Sequence, residues 1–282
     1  MVVFRPSRTD TPLVFDRISL EPSRFCSKGC AFCYNGSSPR GREGFTAAEV
    51  LSLAVDCAKH GVRFLSLGGG EPLEWPGLLE VLDGLRGVLG RSFTTNGLEL
   101  QKRPALFGEL VRVRPDKVHV SIHAVENARE VARVTEQVRA LDELGLAAGV
   151  NLLVRQSHLV EARAAVETLA QAGITRERIV FLPSRGVPGQ TPSPEDTAWV
   201  ATGVRVKGPP FMSMSCLNGC AKRERFVSIG ADKTIAWCSY TVSRRKLAGL
   251  RHADLVAALT GKEPVGLTPC SVALVRTLEV PA

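Results

Sequence analysis

The chain has 282 residues, 44% of them hydrophobic, and a formal net charge of +8. That apolar content is enough for a sizeable core and excludes a disordered polyelectrolyte. No run of about eighteen apolar residues occurs, and no apolar stretch follows Arg5 and Arg8, so neither a membrane span nor a signal peptide is expected and the protein reads as cytoplasmic.

Phe15 to Leu20 alternates apolar and polar residues and stops at Glu21-Pro22, which predicts a first strand. Cys26-Ser-Lys-Gly-Cys30-Ala-Phe-Cys33-Tyr34 follows directly. Thr46 to Glu49 has capping-box spacing, and Val50, Leu51, Leu53, Ala54 and Cys57 carry an apolar face up to Gly61, predicting a helix with Cys57 as a buried small hydrophobe. A strand at Val62 to Leu67 ends on Gly68-Gly69-Gly70-Glu71-Pro72. The unit then repeats: a helix from Trp75 to Leu89 and a strand at Ser92 to Thr95 closed by an Asn96-Gly97 turn; a helix near Pro104 to Val111 and a strand at Lys117 to Ile122; a helix from Val125 to Leu144 and a strand at Ala148 to Val154; a helix from Leu159 to Ala172 and a strand at Arg178 to Leu182.

Six strands alternating with helices predict an α/β fold with a parallel sheet, either an open doubly wound sheet or a partial (β/α)6 TIM-like barrel. The barrel is preferred because the chemically distinctive residues fall at the C-terminal strand ends, where barrels build their sites. The proline- and glycine-rich stretch from Pro183 to Pro194 marks a boundary, giving a core over 1–190 and a small module over 191–282. That module reads as a β-hairpin at Phe226 to Cys238 and a helix near Ala253 to Leu259.

Eight cysteines in a reducing compartment point to metal ligation rather than disulfides. Three thiolates at C-x3-C-x2-C spacing can hold three irons of a cubane and leave the fourth open for a ligand. Gly69 and Gly70 let backbone approach such a ligand closely, and Glu71 adds an acceptor for an ammonium. His119, Ser121 and His123 share one strand face; His119, the deepest, is expected to be a hydrogen-bonded core histidine.

The cysteine loop after a first strand, Gly69-Gly70-Glu71-Pro72 ending the second, and Ser121-Ile-His123 ending the fourth together resemble the radical S-adenosylmethionine (SAM) enzymes, over about Phe15 to Arg185. The resemblance implies a [4Fe-4S] cluster on Cys26, Cys30 and Cys33 and SAM chelating its open iron. It also implies reductive cleavage of SAM to methionine and a 5′-deoxyadenosyl radical, and an external electron donor such as flavodoxin or ferredoxin. By the same resemblance Ser121, His123, Asn151 and Leu182 contact the ribose, carboxylate or adenine of SAM, and Tyr34 sits beside the adenine.

Cys216, Cys220, Cys238 and Cys270 resemble the auxiliary-cluster module of such enzymes, the SPASM domain or its shortened twitch form. The match is partial: Lys233 stands where a glycine is usual, and Cys270 stands alone at the end. Four cysteines suffice for a second [4Fe-4S] cluster; a zinc site is the alternative, and Cys220 has a second candidate role as hydrogen-atom donor to a substrate radical. Arg185, Arg244 and Arg245 are candidates for pairing a substrate carboxylate or phosphate. The resemblance implies oxidation or bond formation on a peptide or small natural product. The alternatives are an RNA-modifying relative and a non-catalytic two-cluster electron-transfer protein. The scatter of basic residues, with dense runs only at Lys222 to Arg225 and Arg244 to Lys246, argues against nucleic acid.

Overall fold

The computed structural model describes residues 15–185, 187–203, 226–240 and 244–260. The elements run β1 (Arg17–Ser23), α1 (Ala47–Lys59), β2 (Phe64–Gly69), α2 (Leu78–Gly84), β3 (Gly90–Thr95), α3 (Leu98–Lys102), α4 (Leu106–Val113), β4 (Lys117–Ile122), α5 (Ala128–Glu143), β5 (Ala148–Val154), α6 (Leu159–Gln171), β6 (Ile179–Pro183), α7 (Pro194–Ala201), β7 (Phe226–Gly230), β8 (Thr234–Ala236), β9 (Arg245–Lys246) and α8 (His252–Leu259). One sheet holds every strand in the order β6-β5-β4-β3-β2-β1-β7-β8-β9. Strands β1 to β6 pair in parallel in chain order, β7 adds in parallel to β1, and β8 and β9 return antiparallel. The sheet has edges at β6 and β9 among the described residues and is the partial barrel that the placement of the distinctive residues at the strand ends predicts.

Period-two alternation divides each core strand between two environments. Ile18, Leu20, Leu65, Leu67, Phe93, Val118, Val120, Ile122, Val150 and Leu152 are all at most 2% exposed and join one core with the helices. Burying each such side chain contributes about 2 kcal/mol. The residues between them, Ser19, Ser66, Ser92, Thr94, His119, Ser121 and Asn151, face a cavity on the opposite side. Strands covered by helices on both faces would read as continuous apolar runs. Alternation here marks an interior that is not filled.

Local sequence accounts for most element ends. Thr46 and Glu49 form the expected capping box, and Cys57 is fully buried. The helix α7 went unpredicted behind its proline-rich approach, although Ser193, Pro194 and Asp196 spell a capping box with proline at the first turn. Lys233 adopts φ +57° in the β7–β8 turn, the left-handed conformation that glycine takes without strain. Its ammonium is 2.5 Å from Glu49 on α1 and lies over the Phe45 ring, contacts that a glycine would forfeit. The departure from the glycine pattern thus ties the hairpin to the core.

Candidate functional site

Between β1 and α1 the chain makes a loop held by its own backbone: Cys26 N donates to Ser38 O, Ser38 N to Arg24 O, and Cys33 N to Cys30 O. Gly29, at φ +54°, sits so close to Pro39 that a Cβ would lie 2.9 Å from the ring. Ser27 N donates to Glu74 at 2.9 Å, fastening the loop to the segment after β2. Cys26, Cys30 and Cys33 are unpaired and line one cavity of about 850 Å³. Burial pushes the Cys26 and Cys30 thiols up, opposed at Cys30 by the Lys28 ammonium.

Among the described residues no three His, Cys, Asp or Glu side chains converge on a single-ion site. A cubane takes one thiolate per iron, so three free thiols lining one cavity are the donors it needs on three irons. The donor set therefore fits the implied [4Fe-4S] group with one iron left for another ligand.

The end of β2 differs from the sequence-based expectation in a useful way. A Cβ on Gly69 would lie 2.7 Å from Glu21 Cβ and Ser23 O, and one on Gly70 would lie 2.0 Å from Phe25 O. Gly69 is required by the close passage of the end of β1 and Gly70 by that of Phe25 at the start of the cysteine loop, and only secondarily do they leave room for a ligand. All three glycines line the cavity, but only at Gly68, where a Cβ would make an ordinary 3.7 Å contact, is there room for a side chain. The Glu71 carboxylate, 2% exposed, already accepts from Thr95 Oγ1 at 2.6 Å, Asn96 N at 2.7 Å and Leu73 N at 3.0 Å. Its acceptors join the ends of β2 and β3, so an ammonium partner is not needed to satisfy it; burial still pushes its carboxyl up to about 7. Asn96, expected only as a turn residue, holds its side-chain amide 3.9 Å from the Cys26 sulfur.

At the end of β4, His123 N donates to Glu130 Oε1 at 2.7 Å and its Nδ1 lies 3.1 Å from Lys28 Nζ, which itself donates to Glu130 at 3.0 Å. Burial would push the Glu130 carboxyl up, but the bonds from His123 and the charge of Lys28 outweigh it and hold it at about 2. A lysine inside the cysteine loop thereby pins that loop to β4 and α5, a link that sequence spacing does not reveal. Phe32 completes the contact, its ring 6.1 Å from that of His123 and 5.6 Å below the Arg155 guanidinium. The aromatic beside the β4 end is therefore Phe32, two residues before Tyr34. The Tyr34 ring meets Tyr240 edge-on at 5.0 Å, and its hydroxyl donates to Glu21 at 3.1 Å.

Ser121 and Asn151, register partners on β4 and β5, line the cavity together with Leu182, as does Arg185, stacked 4.9 Å from the Tyr240 ring. Arg244 points elsewhere: it donates to Ser228 O, Thr234 Oγ1 and Cys238 O, bracing the hairpin. Arg245 donates to Ala258 O. His119 lines the cavity with a buried Nε2 that has no hydrogen-bond partner, in place of the satisfied core histidine expected, and burial lowers it to about 3, leaving the ring neutral. Cys238 is buried beside Ser239 and Tyr240, which reach the cavity wall. Cys216, Cys220 and Cys270 lie outside the described residues.

A family model described as the Radical SAM superfamily matches residues 20–198. Among curated proteins, one named Probable GTP 3′,8-cyclase from Methanopyrus kandleri is 34% identical over 101 residues, 36% of this chain and 32% of that protein. A protein of the same name from Saccharolobus solfataricus is 26% identical over 186 residues, 62% of this chain and 59% of that one. The chain thus spans between about a third and three fifths of the length of these relatives. Among solved structures, Streptococcus suis SuiB bound to S-adenosylmethionine superposes with a TM-score of 0.68 at 16% identity, covering 89% of this chain and 66% of that one. Native anSMEcpe with bound AdoMet gives 0.58 at 11% identity, covering 85% and 80%. At these identities the structural likeness concerns the fold, and among the described residues no helix is long and apolar enough to cross a membrane. The matched span takes in the cysteine loop, the glycine strand end and the Ser121 to His123 strand end, and by that match the chain is an enzyme of the radical SAM superfamily.

Proposed function

We propose that this enzyme abstracts hydrogen from a small-molecule substrate held in the barrel interior, with SAM bound across the C-terminal strand ends. The observation that carries the reading is that Cys26, Cys30 and Cys33, the Gly68–Gly70 strand end, Ser121 and Asn151 all line one cavity. The cluster and SAM, when bound, supply a one-electron cleavage to methionine and a 5′-deoxyadenosyl radical. The chain's own part is placement. Cys26, Cys30 and Cys33 ligate; Gly68 offers open backbone; Ser121, His123, Asn151 and Leu182 present hydrogen-bonding and apolar surface to the nucleoside. Glu71, Asn96, Lys28 and Glu130 hold those groups in register without spending ligand contacts. Tyr34 and Arg185 stand where the interior meets Tyr240 and so face substrate more than adenine.

A small molecule is preferred to a peptide because the relatives bear the name of an enzyme acting on a nucleotide, and because Ser19, Ser66, Ser92 and His119 place hydrogen-bonding groups in the interior. The SPASM- or twitch-like reading of Cys216, Cys220, Cys238 and Cys270 belongs to the same proposal, with Cys220 either a ligand or a hydrogen donor. Anaerobic reconstitution followed by reduction and SAM addition tests the chemistry: 5′-deoxyadenosine is expected, and its absence from fully iron-loaded protein with substrate present contradicts the proposal. Iron counts test the second cluster. About eight irons per chain are expected, falling to about four in the Cys26/Cys30/Cys33→Ala variant, whereas about four irons plus zinc in the wild type assigns the late cysteines to zinc.

A further inference from the structure

Below the strand ends, the interior face carries a row of hydroxyls at one level. Ser19 pairs in register with Ser66, Ser66 with Ser92, and Ser92 with Lys117, so three serines and a lysine sit side by side across β1 to β4. All four line the cavity. None of their side chains has a hydrogen-bond or ion-pair partner among the described residues, and one layer above, His119 Nε2 is buried without a partner. Barrel interiors at this depth are ordinarily packed with branched apolar side chains. Here small hydroxyls replace them, Gly149 beside His119 leaves no room for a Cβ, which would lie 2.8 Å from that ring, and the space stays open. The serines are half-buried and Lys117 is exposed, so they stay available to a ligand, and the buried His119 Nε2 costs stability unless a ligand or water satisfies it.

The charge at the floor has a sign. Arg17 opens β1 and lies 4.5 Å over the Phe64 ring, facing the same cavity as Lys117, which opens β4. Burial, and after it the Arg17 charge, lower the Lys117 ammonium, and both residues line the cavity. Asp16, Asp116 and Glu177 are the acids at this end: Asp16 lies 3.8 Å from Arg17 and 2.8 Å from Arg63, Asp116 is engaged by Arg91 at 3.0 Å, and the Glu177 carboxyl is held down by the backbone and Thr175, so Lys117 is the cation on which the anion contact chiefly depends. Strand β4, six residues long, separates this floor from the Ser121 and His123 level by roughly 17 Å of strand. A ligand at the upper strand ends therefore leaves the floor for a second molecule.

We infer that the lower lumen is a substrate site for an anionic polyol: Ser19, Ser66, Ser92 and His119 read hydroxyls, and Lys117 with Arg17 neutralises a phosphate or carboxylate at the far end. The inference rests on the proposed function placing substrate in this cavity and adds what that substrate is. A hydrocarbon or apolar peptide side chain would leave every one of these groups desolvated and unpaired. Anion and hydroxyls together fix which end of the substrate points toward the cysteines.

Titration calorimetry on the anaerobically reconstituted protein tests it, with ribose 5-phosphate, gluconate and neutral ribose as probes. At least one anionic probe is expected to bind more tightly than ribose, and the tighter of the two names the anion. Lys117→Met should weaken that probe about tenfold or more while leaving ribose unchanged, Lys117→Arg should restore it, and Ser66→Val with Ser92→Val should weaken anionic and neutral polyols alike. Iron content and Tm of each variant establish folding. Absence of binding by both anionic probes, or wild-type affinity in Lys117→Met, overturns the inference. 5′-Deoxyadenosine formation by the wild type reports on the proposed function alone. Its presence without polyol binding sinks only the present inference, and its absence from fully iron-loaded protein saturated with the bound polyol sinks only the radical chemistry.

Discussion

At the C-terminal ends of β2 to β4, Glu71, Asn96, Lys28, His123 and Glu130 are bonded to one another and to backbone, whereas lower in the same cavity Ser19, Ser66, Ser92 and His119 have no partner among the described residues. The rim spends its polar groups on fixing the cysteine loop against the strands. The lumen leaves its own unspent. The difference separates residues that preorganise a cofactor from residues that await a ligand, and substitutions in the two regions should differ in kind: loss of stability and cofactor at the rim, loss of affinity without loss of stability in the lumen.

The largest effect is expected at Gly70, where a Cβ would press to 2.0 Å from Phe25 O. Gly70→Ala should cost about 4 kcal/mol or more and abolish iron loading, read by denaturant unfolding and iron assay. Next is Glu71. Its carboxyl titrates at about 7 when folded against a reference of 4.5. The folded state thus binds the extra proton, so stability is highest below pH 4.5 and falls as pH rises toward 7. The loss amounts to about 3 kcal/mol at most, and Glu71→Gln should flatten that slope in urea titrations of the metal-free chain. Glu130 has the opposite sign: held at about 2, it contributes stability that is present above its reference value of 4.5 and is lost as pH falls through about 2. Lys28→Met should cost about 2 kcal/mol at neutral pH, because it leaves a largely buried carboxylate short of its cation, and should shrink the acid limb. The smallest effect belongs to the lumen. Ser92→Val should change stability by about 0.5 kcal/mol or less, since no protein bond is lost; a loss near that of Lys28→Met would dissolve the distinction between the regions.

The strand-helix alternation was legible because each core strand carries its apolar residues at period two and each helix at period 3.6. The cysteine loop, the glycine strand end and Ser121 with His123 were legible as a spacing pattern. What escaped was tertiary. Lys28 and Glu130 are 102 positions apart and meet only because the loop folds over β4, and Asn96 reaches Cys26 over 70 positions. That Phe32 faces His123 depends on the direction of the loop, which spacing does not give. Nor does the sequence reveal that Thr95, Asn96 and Leu73 donate to Glu71. The serine row was visible as polar alternation in β1, yet its meaning needed the register that sets Ser19, Ser66 and Ser92 level.

The central claim, that the rim presents a cluster with one open iron to SAM, is tested most directly by electron paramagnetic resonance of the anaerobically reduced protein before and after SAM addition. The account predicts a reduced-cluster signal that shifts when SAM is added, whereas the Cys26/Cys30/Cys33→Ala variant keeps at most a signal that SAM does not move. A SAM-shifted signal in that variant, or a wild-type spectrum that SAM leaves entirely unmoved, would contradict it.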